Sequence, residues 1–316
     1  MAININKNKK IFALEGKNTS YVFGIEDNQY IHHLHWGKKV STVEDFELVP
    51  VDRIDSQDAA VDIMPEEYPP FGGLRYKSTA IKASFADGTR DIVFKYINYS
   101  IKDNALVIHL KDQHYNLFVN LYYKMFEDLN LLQRWVEVEN KETEDVVLEN
   151  INSVSFNLNG TYFFSTQVSG HWSAEQQIFR ERLYPGKKIF ESRKGITGNN
   201  HSPYFILDKN ANEDNGEVYF GVLAYSGNYN ITIETTQFHS IRILMGINSF
   251  DFLYRLKPNQ SFTTPSVYAG YTSNGFSDMS NTMNDFCRNY LMPKEKRNTI
   301  HPVLYNSWEA TKFDIS

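Results

Sequence analysis

From Lys10 to about Thr272 the chain repeats one pattern, short runs of alternating or β-branched residues broken by turn residues. Antiparallel strands that bury one face write such a rhythm, whereas units that alternate strand with helix do not, so an all-β sandwich is predicted. Strands are expected over 20–25, 30–36, 90–101, 105–111, 117–126, 131–139 and 146–158, and again over 217–225, 230–236, 240–245, 250–256 and 266–271. Asp87-Gly88 and Asn159-Gly160 supply the positive φ of tight turns and read as hairpin signals. Glu127-Asp128-Leu129-Asn130 joins two runs longer than the roughly five or six residues of an ordinary strand, which points to an extended sandwich. The aromatic share of 15%, with 20 Tyr and 22 Phe, fits a pleated core and would also suit surfaces that stack on sugars.

Two stretches break the rhythm, Leu48 to Gly73 and Thr166 to Pro203, and both are expected to be binding loops. One helix is predicted near the end, where Phe276, Met279, Met283, Phe286 and Tyr290 form a single stripe that Pro293 stops. Beyond the linker Lys294 to Asn298, the apolar run Pro302-Val303-Leu304-Tyr305 passes at once into Asn306 through Glu309. A buried parallel strand that delivers side chains to a site at its carboxyl end has this look. The expected division is therefore a sandwich over 1–272, a linker helix and connector over 273–299, and the first strand of a larger, otherwise absent domain over 300–316.

Charge narrows the partners. The net charge is −6, and no cluster of Lys or Arg stands out beyond short pairs such as Lys187-Lys188, so nucleic acid is not an expected partner. No signal-peptide pattern opens the chain and no apolar run is long enough to span a bilayer, so no membrane association and a cytoplasmic location are expected. A single cysteine, Cys287, forbids an internal disulfide. Glycine-rich nucleotide loops, the H-E-x-x-H zinc motif and the G-x-S-x-G elbow are all missing, so no cofactor is expected.

The candidate site residues each have a plainer reading. Alternation puts His33 and His35 on one face, but a third metal ligand is not identifiable, so no metal is assigned. Asp52, Asp55 and Asp58 lack the spacing of a calcium loop and read either as solvated acids or, for Asp52 beside Arg53, as an acceptor for sugar hydroxyls. Trp172, in Gly170-His171-Trp172-Ser173, either stacks on a sugar face or caps the sandwich core. Glycoside hydrolysis needs two carboxyls flanking the bond, and nothing about Glu309 and Asp314 places them so.

The chain resembles the amino-terminal part of bacterial α-galactosidases of glycoside hydrolase family 36. The residues that carry the likeness are Ser20-Tyr21-Val22-Phe23, His33 to Gly37, Pro65 to Gly73, Gly216-Glu217-Val218-Tyr219 and Tyr225 to Asn228. They continue with Met245-Gly246-Ile247-Asn248, Phe250-Asp251-Phe252 and, most specifically, Pro302 through Asp314. The resemblance implies a β-supersandwich, then a (β/α)8 barrel carrying two catalytic aspartates, then a small β domain. The aspartates would lie on later barrel strands, so no catalytic residue is expected in this chain, which alone should be inactive. By position, Asp52, Trp172 and Trp308 match substrate contacts, the substrate being an α-galactoside oligosaccharide of the melibiose or raffinose type cleaved with retention. Similar enzymes are tetramers, so a homo-oligomer is expected. The rival expectation is a stand-alone carbohydrate-binding or oligomerisation module.

Overall fold

The computed structural model describes residues 2–49, 60–300 and 302–315. The first strands are β1 (Ile3–Asn6), β2 (Ile11–Glu15), β3 (Thr19–Ile25), β4 (Ile31–Lys38) and β5 (Ile81–Ser84). Then come β6 (Phe94–Lys102), β7 (Ala105–Asp112), β8 (Leu117–Phe126), β9 (Leu131–Asn140) and β10 (Val146–Asn159). The next five are β11 (Phe164–His171), β12 (Ala174–Arg182), β13 (Gly186–Glu191), β14 (Tyr204–Asp208) and β15 (Val218–Leu223). The last are β16 (Tyr229–Thr235), β17 (Ser240–Ile247), β18 (Tyr254–Leu256), β19 (Ser261–Thr263) and β20 (Val267–Thr272). The helices are α1 (Ala60–Ile63), α2 (Gly275–Phe286) and α3 (Trp308–Thr311). The chain divides into two compact units, residues 1–279 and 280–316.

Pairing between strands is antiparallel throughout the three sheets of the first unit. β1 to β4 form a four-stranded meander. A six-stranded sheet runs β13-β16-β17-β10-β18, with β5 also on β10. A ten-stranded sheet runs β12-β11-β14-β15-β20-β9-β8-β7-β6, with β19 on β9. Strict alternation of buried and part-exposed residues along β8 shows a sheet wet on one face, as its sequence demands. β10 differs, because Ile151 through Leu158 are buried on both faces. Aromatic rings knit the sheets together: Phe23 of β3 stacks on Tyr123 of β8 at 4.8 Å, and Trp36 of β4 meets Phe156 of β10 at 4.7 Å and Tyr219 of β15 at 5.3 Å. Each such ring, withdrawn from water, contributes roughly 1.5–3 kcal/mol.

The hairpin between β8 and β9 forms as expected, with Asn130 taking the left-handed conformation at φ 54°. Asp87-Gly88 and Asn159-Gly160 do turn tightly, with φ of 87° and 112° at the glycines. Neither closes a hairpin, because β5 and β10 each pair elsewhere than with the strand that follows. The largest departure lies in the stretch expected to be irregular after Thr166, which carries most of β11 and all of β12 and β13. Its polar and charged residues hid strands that sit at sheet edges, where β12 is exposed along nearly its whole length. Helix α2 lies where the apolar stripe put it, continues as a wider π turn over Cys287–Leu291 and stops before Pro293.

Candidate functional site

Trp172 stands at the tip of the ribbon formed by β11 and β12. His171 pairs with Ala174, so Trp172 and Ser173 alone make the turn, and Ser173 takes φ 68° to do so. Gly170 is needed just before it, because a Cβ there would sit 2.5 Å from the Ala174 carbonyl oxygen. The His171 ring nitrogen Nδ1 donates to the Trp172 carbonyl at 2.6 Å and holds the tip. The indole is 85% exposed, which overturns the reading that it caps the core. An exposed ring on a short, hydrogen-bonded turn is a ready stacking surface for the apolar face of a sugar.

Asp52, with Arg53, Asp55 and Asp58, lies outside the described residues. The described residues from 60 onward are firmly anchored. Asp62 in α1 accepts from the backbone N–H groups of Tyr76 and Lys77 at 2.6 and 2.7 Å. Lys77 reaches back, its Nζ donating to the carbonyls of Val61 at 2.5 Å and Met64 at 2.8 Å and pairing with Glu66 at 2.9 Å. Glu66 also takes two bonds of 2.7 Å from Arg75. Burial pushes the Lys77 ammonium down to about 8, with Glu66 opposing the shift.

The next residue, Glu67, plunges into the core and is fully buried. It pairs with Arg134 of β9 at 2.9 Å, accepts from the hydroxyls of Tyr21 at 2.7 Å and Tyr123 at 2.9 Å, and takes a bond from His33 Nδ1 at 2.8 Å. Burial by itself would raise the Glu67 pKa, but Arg134 and His33 outweigh it and hold the carboxyl below the usual carboxylate range. Arg134 lies with its guanidinium 4.3 Å from the Tyr123 ring centroid. Two adjacent glutamates thus fix the Pro65–Pro70 run, one to a loop clamp and one to the centre of the molecule. Reading the sequence missed this network. The signal was present, since Leu132, Arg134, Val136 and Val138 share the inward face of β9, and a cation there demands a buried partner.

His33 therefore serves the core. A bulge in the β3–β4 pairing sets Phe23 opposite His33 but Val22 opposite His35, so the two histidines do not share a face as alternation implied. His35 instead donates to the Lys38 carbonyl at 2.9 Å. Among the described residues no three His, Cys, Asp or Glu side chains gather as metal ligands. In the second unit Trp308 opens α3, is 46% exposed and meets Phe313 edge-on at 5.0 Å. The strand expected over Pro302–Tyr305 is not formed, and Val303 and Leu304 are 99% and 89% exposed. A parallel strand needs hydrogen-bonding neighbours on both sides, and the run has none among the described residues.

Comparison with known proteins decides the lineage. A model of the glycosyl hydrolase family 36 N-terminal domain matches residues 29–257, and a melibiase model matches residues 261–316. The chain belongs to glycosyl hydrolase family 36. Alpha-galactosidase AgaA of Geobacillus stearothermophilus is 31% identical over 100% of this family 36 chain and 47% of its own length. Alpha-galactosidase Mel36A of Lactobacillus acidophilus is 29% identical, over 99% and 47%. The crystal structure of the family 36 α-galactosidase AgaB from Geobacillus stearothermophilus superposes with a TM-score of 0.93 at 32% identity, covering 99% of this chain and 47% of that one. A variant of AgaA solved with raffinose superposes with a TM-score of 0.90, at 31% identity and 96% and 46% coverage. The chain thus spans about half the length of the curated relatives it matches.

Proposed function

We propose that this chain is the amino-terminal β-supersandwich of an α-galactosidase that removes terminal α-linked galactose from raffinose-type oligosaccharides in the cytoplasm. The observation that carries the reading is its match to family 36 α-galactosidases along its whole length at a TM-score of 0.93, with about half of their chains left over. Two catalytic carboxylates, acting by double displacement with retention, belong to that remaining half. The sandwich contributes contacts: Trp172 stacks on the galactose ring, Asp52 accepts from its hydroxyls, and Trp308 supplies a ring at the first barrel strand. Residues 300–316 are the start of that barrel, and the strand over Pro302–Tyr305 forms once neighbouring strands pair with it. The enzyme is a homo-oligomer in which the loops of the sandwich help complete the pocket.

The test is kinetic, in the α-galactosidase that carries this chain. Trp172→Ala is expected to raise KM for raffinose about tenfold, the loss of about 1.4 kcal/mol of stacking, with an unchanged melting temperature. Unaltered kcat and KM would reject Trp172 as a substrate contact.

A further inference from the structure

The runs Met245-Gly246-Ile247-Asn248 and Phe250-Asp251-Phe252 have no part in the site above, yet each lends one side chain, Asn248 and Phe250, to a cleft of about 420 Å³ on the six-stranded sheet. The registers lay the cleft out in rows. Glu191 of β13 lies opposite Asn230 of β16, which lies opposite Gly246 of β17, and in the next row Ile189, Thr232 and Leu244 are aligned. Gly246 puts no side chain in its row because the backbone of β10 packs there, with Asn152 Cα 2.5 Å from where a Cβ would stand.

The polar groups form one connected array. Asn248 donates through Nδ2 to Glu191 at 2.9 Å, and its Oδ1 accepts from the Phe250 N–H at 2.9 Å, which turns the chain so that Phe250 is presented 56% exposed. Arg193 pairs with Glu191 at 2.8 Å and lays its guanidinium 4.0 Å from the Phe250 ring centroid. Thr232 donates to Asn230 Oδ1 at 2.7 Å, and the Asn230 side chain in turn bonds to Glu191, so hydroxyl, amide and carboxylate are linked. Burial opposes the Glu191 charge, but the bonds from Asn248 and Arg193 outweigh it and hold the group ionised.

A surface of amides, hydroxyls and a carboxylate, its cations Arg193 and Lys187 already paired with Glu191 and Glu234, with one exposed ring at its rim, suits neither a free ion nor an apolar ligand. It matches a saccharide, whose neighbouring hydroxyls bond to planar amide and carboxylate groups while a C–H face rests on an aromatic ring. We propose that this face is a second carbohydrate site, binding a neutral hexose unit with its ring on Phe250 and its hydroxyls on Glu191, Asn230 and Thr232. It is built on a different sheet from the Trp172 ribbon.

Titration of raffinose into the 15N-labelled chain tests this. Saturable shifts are expected at the amides of Glu191, Asn230 and Thr232, in the millimolar range. Phe250→Ala and Thr232→Val should each weaken binding about fivefold, the value of one ring contact or one hydrogen bond. Absence of saturable shifts, or shifts undiminished in both cleft variants, would overturn the proposal. So would shifts at these amides that follow protein concentration without sugar, since a second copy would then occupy the face. The Trp172→Ala kinetics stand apart from every one of these outcomes.

Discussion

Arg134→Met keeps much of the aliphatic stem in place and removes the guanidinium from the centre of the sandwich. In the wild type that group pairs with Glu67 at 2.9 Å and donates to the hydroxyls of Tyr21 at 3.0 Å and Tyr123 at 3.1 Å. Its loss strands a carboxylate that water does not reach, for which breaking a buried pair costs about 3–5 kcal/mol. Glu67→Gln strands the cation instead and should cost a similar amount. The double variant buries neither charge, so it should be less destabilised than the sum of the singles by about 2 kcal/mol or more. Urea unfolding followed by circular dichroism and tryptophan fluorescence measures all three. The reasoning is refuted if Arg134→Met costs less than about 1 kcal/mol or if the two substitutions simply add. The same pair sets the acid limit: because the folded Glu67 pKa is lowered, its contribution is present above the unfolded carboxylate value and is lost as pH falls through the folded one. Glu67→Gln should therefore flatten the loss of stability below about pH 4.

Lys77 gives a slope of the same sign in a higher pH window. Its folded pKa near 8 lies below the unfolded value of 10.5, so the unfolded chain binds more protons between them and wild-type stability should rise with pH relative to Lys77→Met from about 8 upward. Parallel stability curves for the two proteins across that window would contradict the placement of Lys77. Gly170→Ala forces a Cβ to within 2.5 Å of the Ala174 carbonyl oxygen, and hydrogen exchange at the β11 and β12 amides should quicken while the β8 amides stay protected. Unchanged exchange in the ribbon would mean the crossing is looser than described. Trp172→Ala should move the unfolding midpoint by no more than about 0.5 kcal/mol, since the ring is 85% exposed, and a larger loss would show that it packs on the body of the protein.

Alternation carried most of the fold into view. β8, β9 and β10 lie within a residue or two of their expected limits, because strands wet on one face or buried on both leave an apolar period that turn residues punctuate. Edge strands escaped for the same physical reason. β12 reads Ala-Glu-Gln-Gln-Ile-Phe-Arg-Glu-Arg and buries almost nothing, so no pattern marks it, and the Thr166–Pro203 stretch looked like loop. The glycine before Trp172 marked a turn in the sequence, though the ring's setting on a ribbon tip was not legible there. The Glu66 and Glu67 clamps depend on contacts 9 to 67 residues apart in sequence, from Arg75 to Arg134, which local spacing does not reveal. The histidine pair misled because one bulge in β3 and β4 reverses the faces of everything beyond it.

The account rests on a division of labour between this sandwich and the half of the family 36 relatives that it does not span. Hydrolysis of a nitrophenyl α-galactoside by the purified 316-residue chain tests that most directly. No release of nitrophenol above the buffer rate is predicted. Turnover that scales with the amount of chain and survives removal of host α-galactosidase would contradict it, for the bond-breaking carboxylates would then have to lie among these residues.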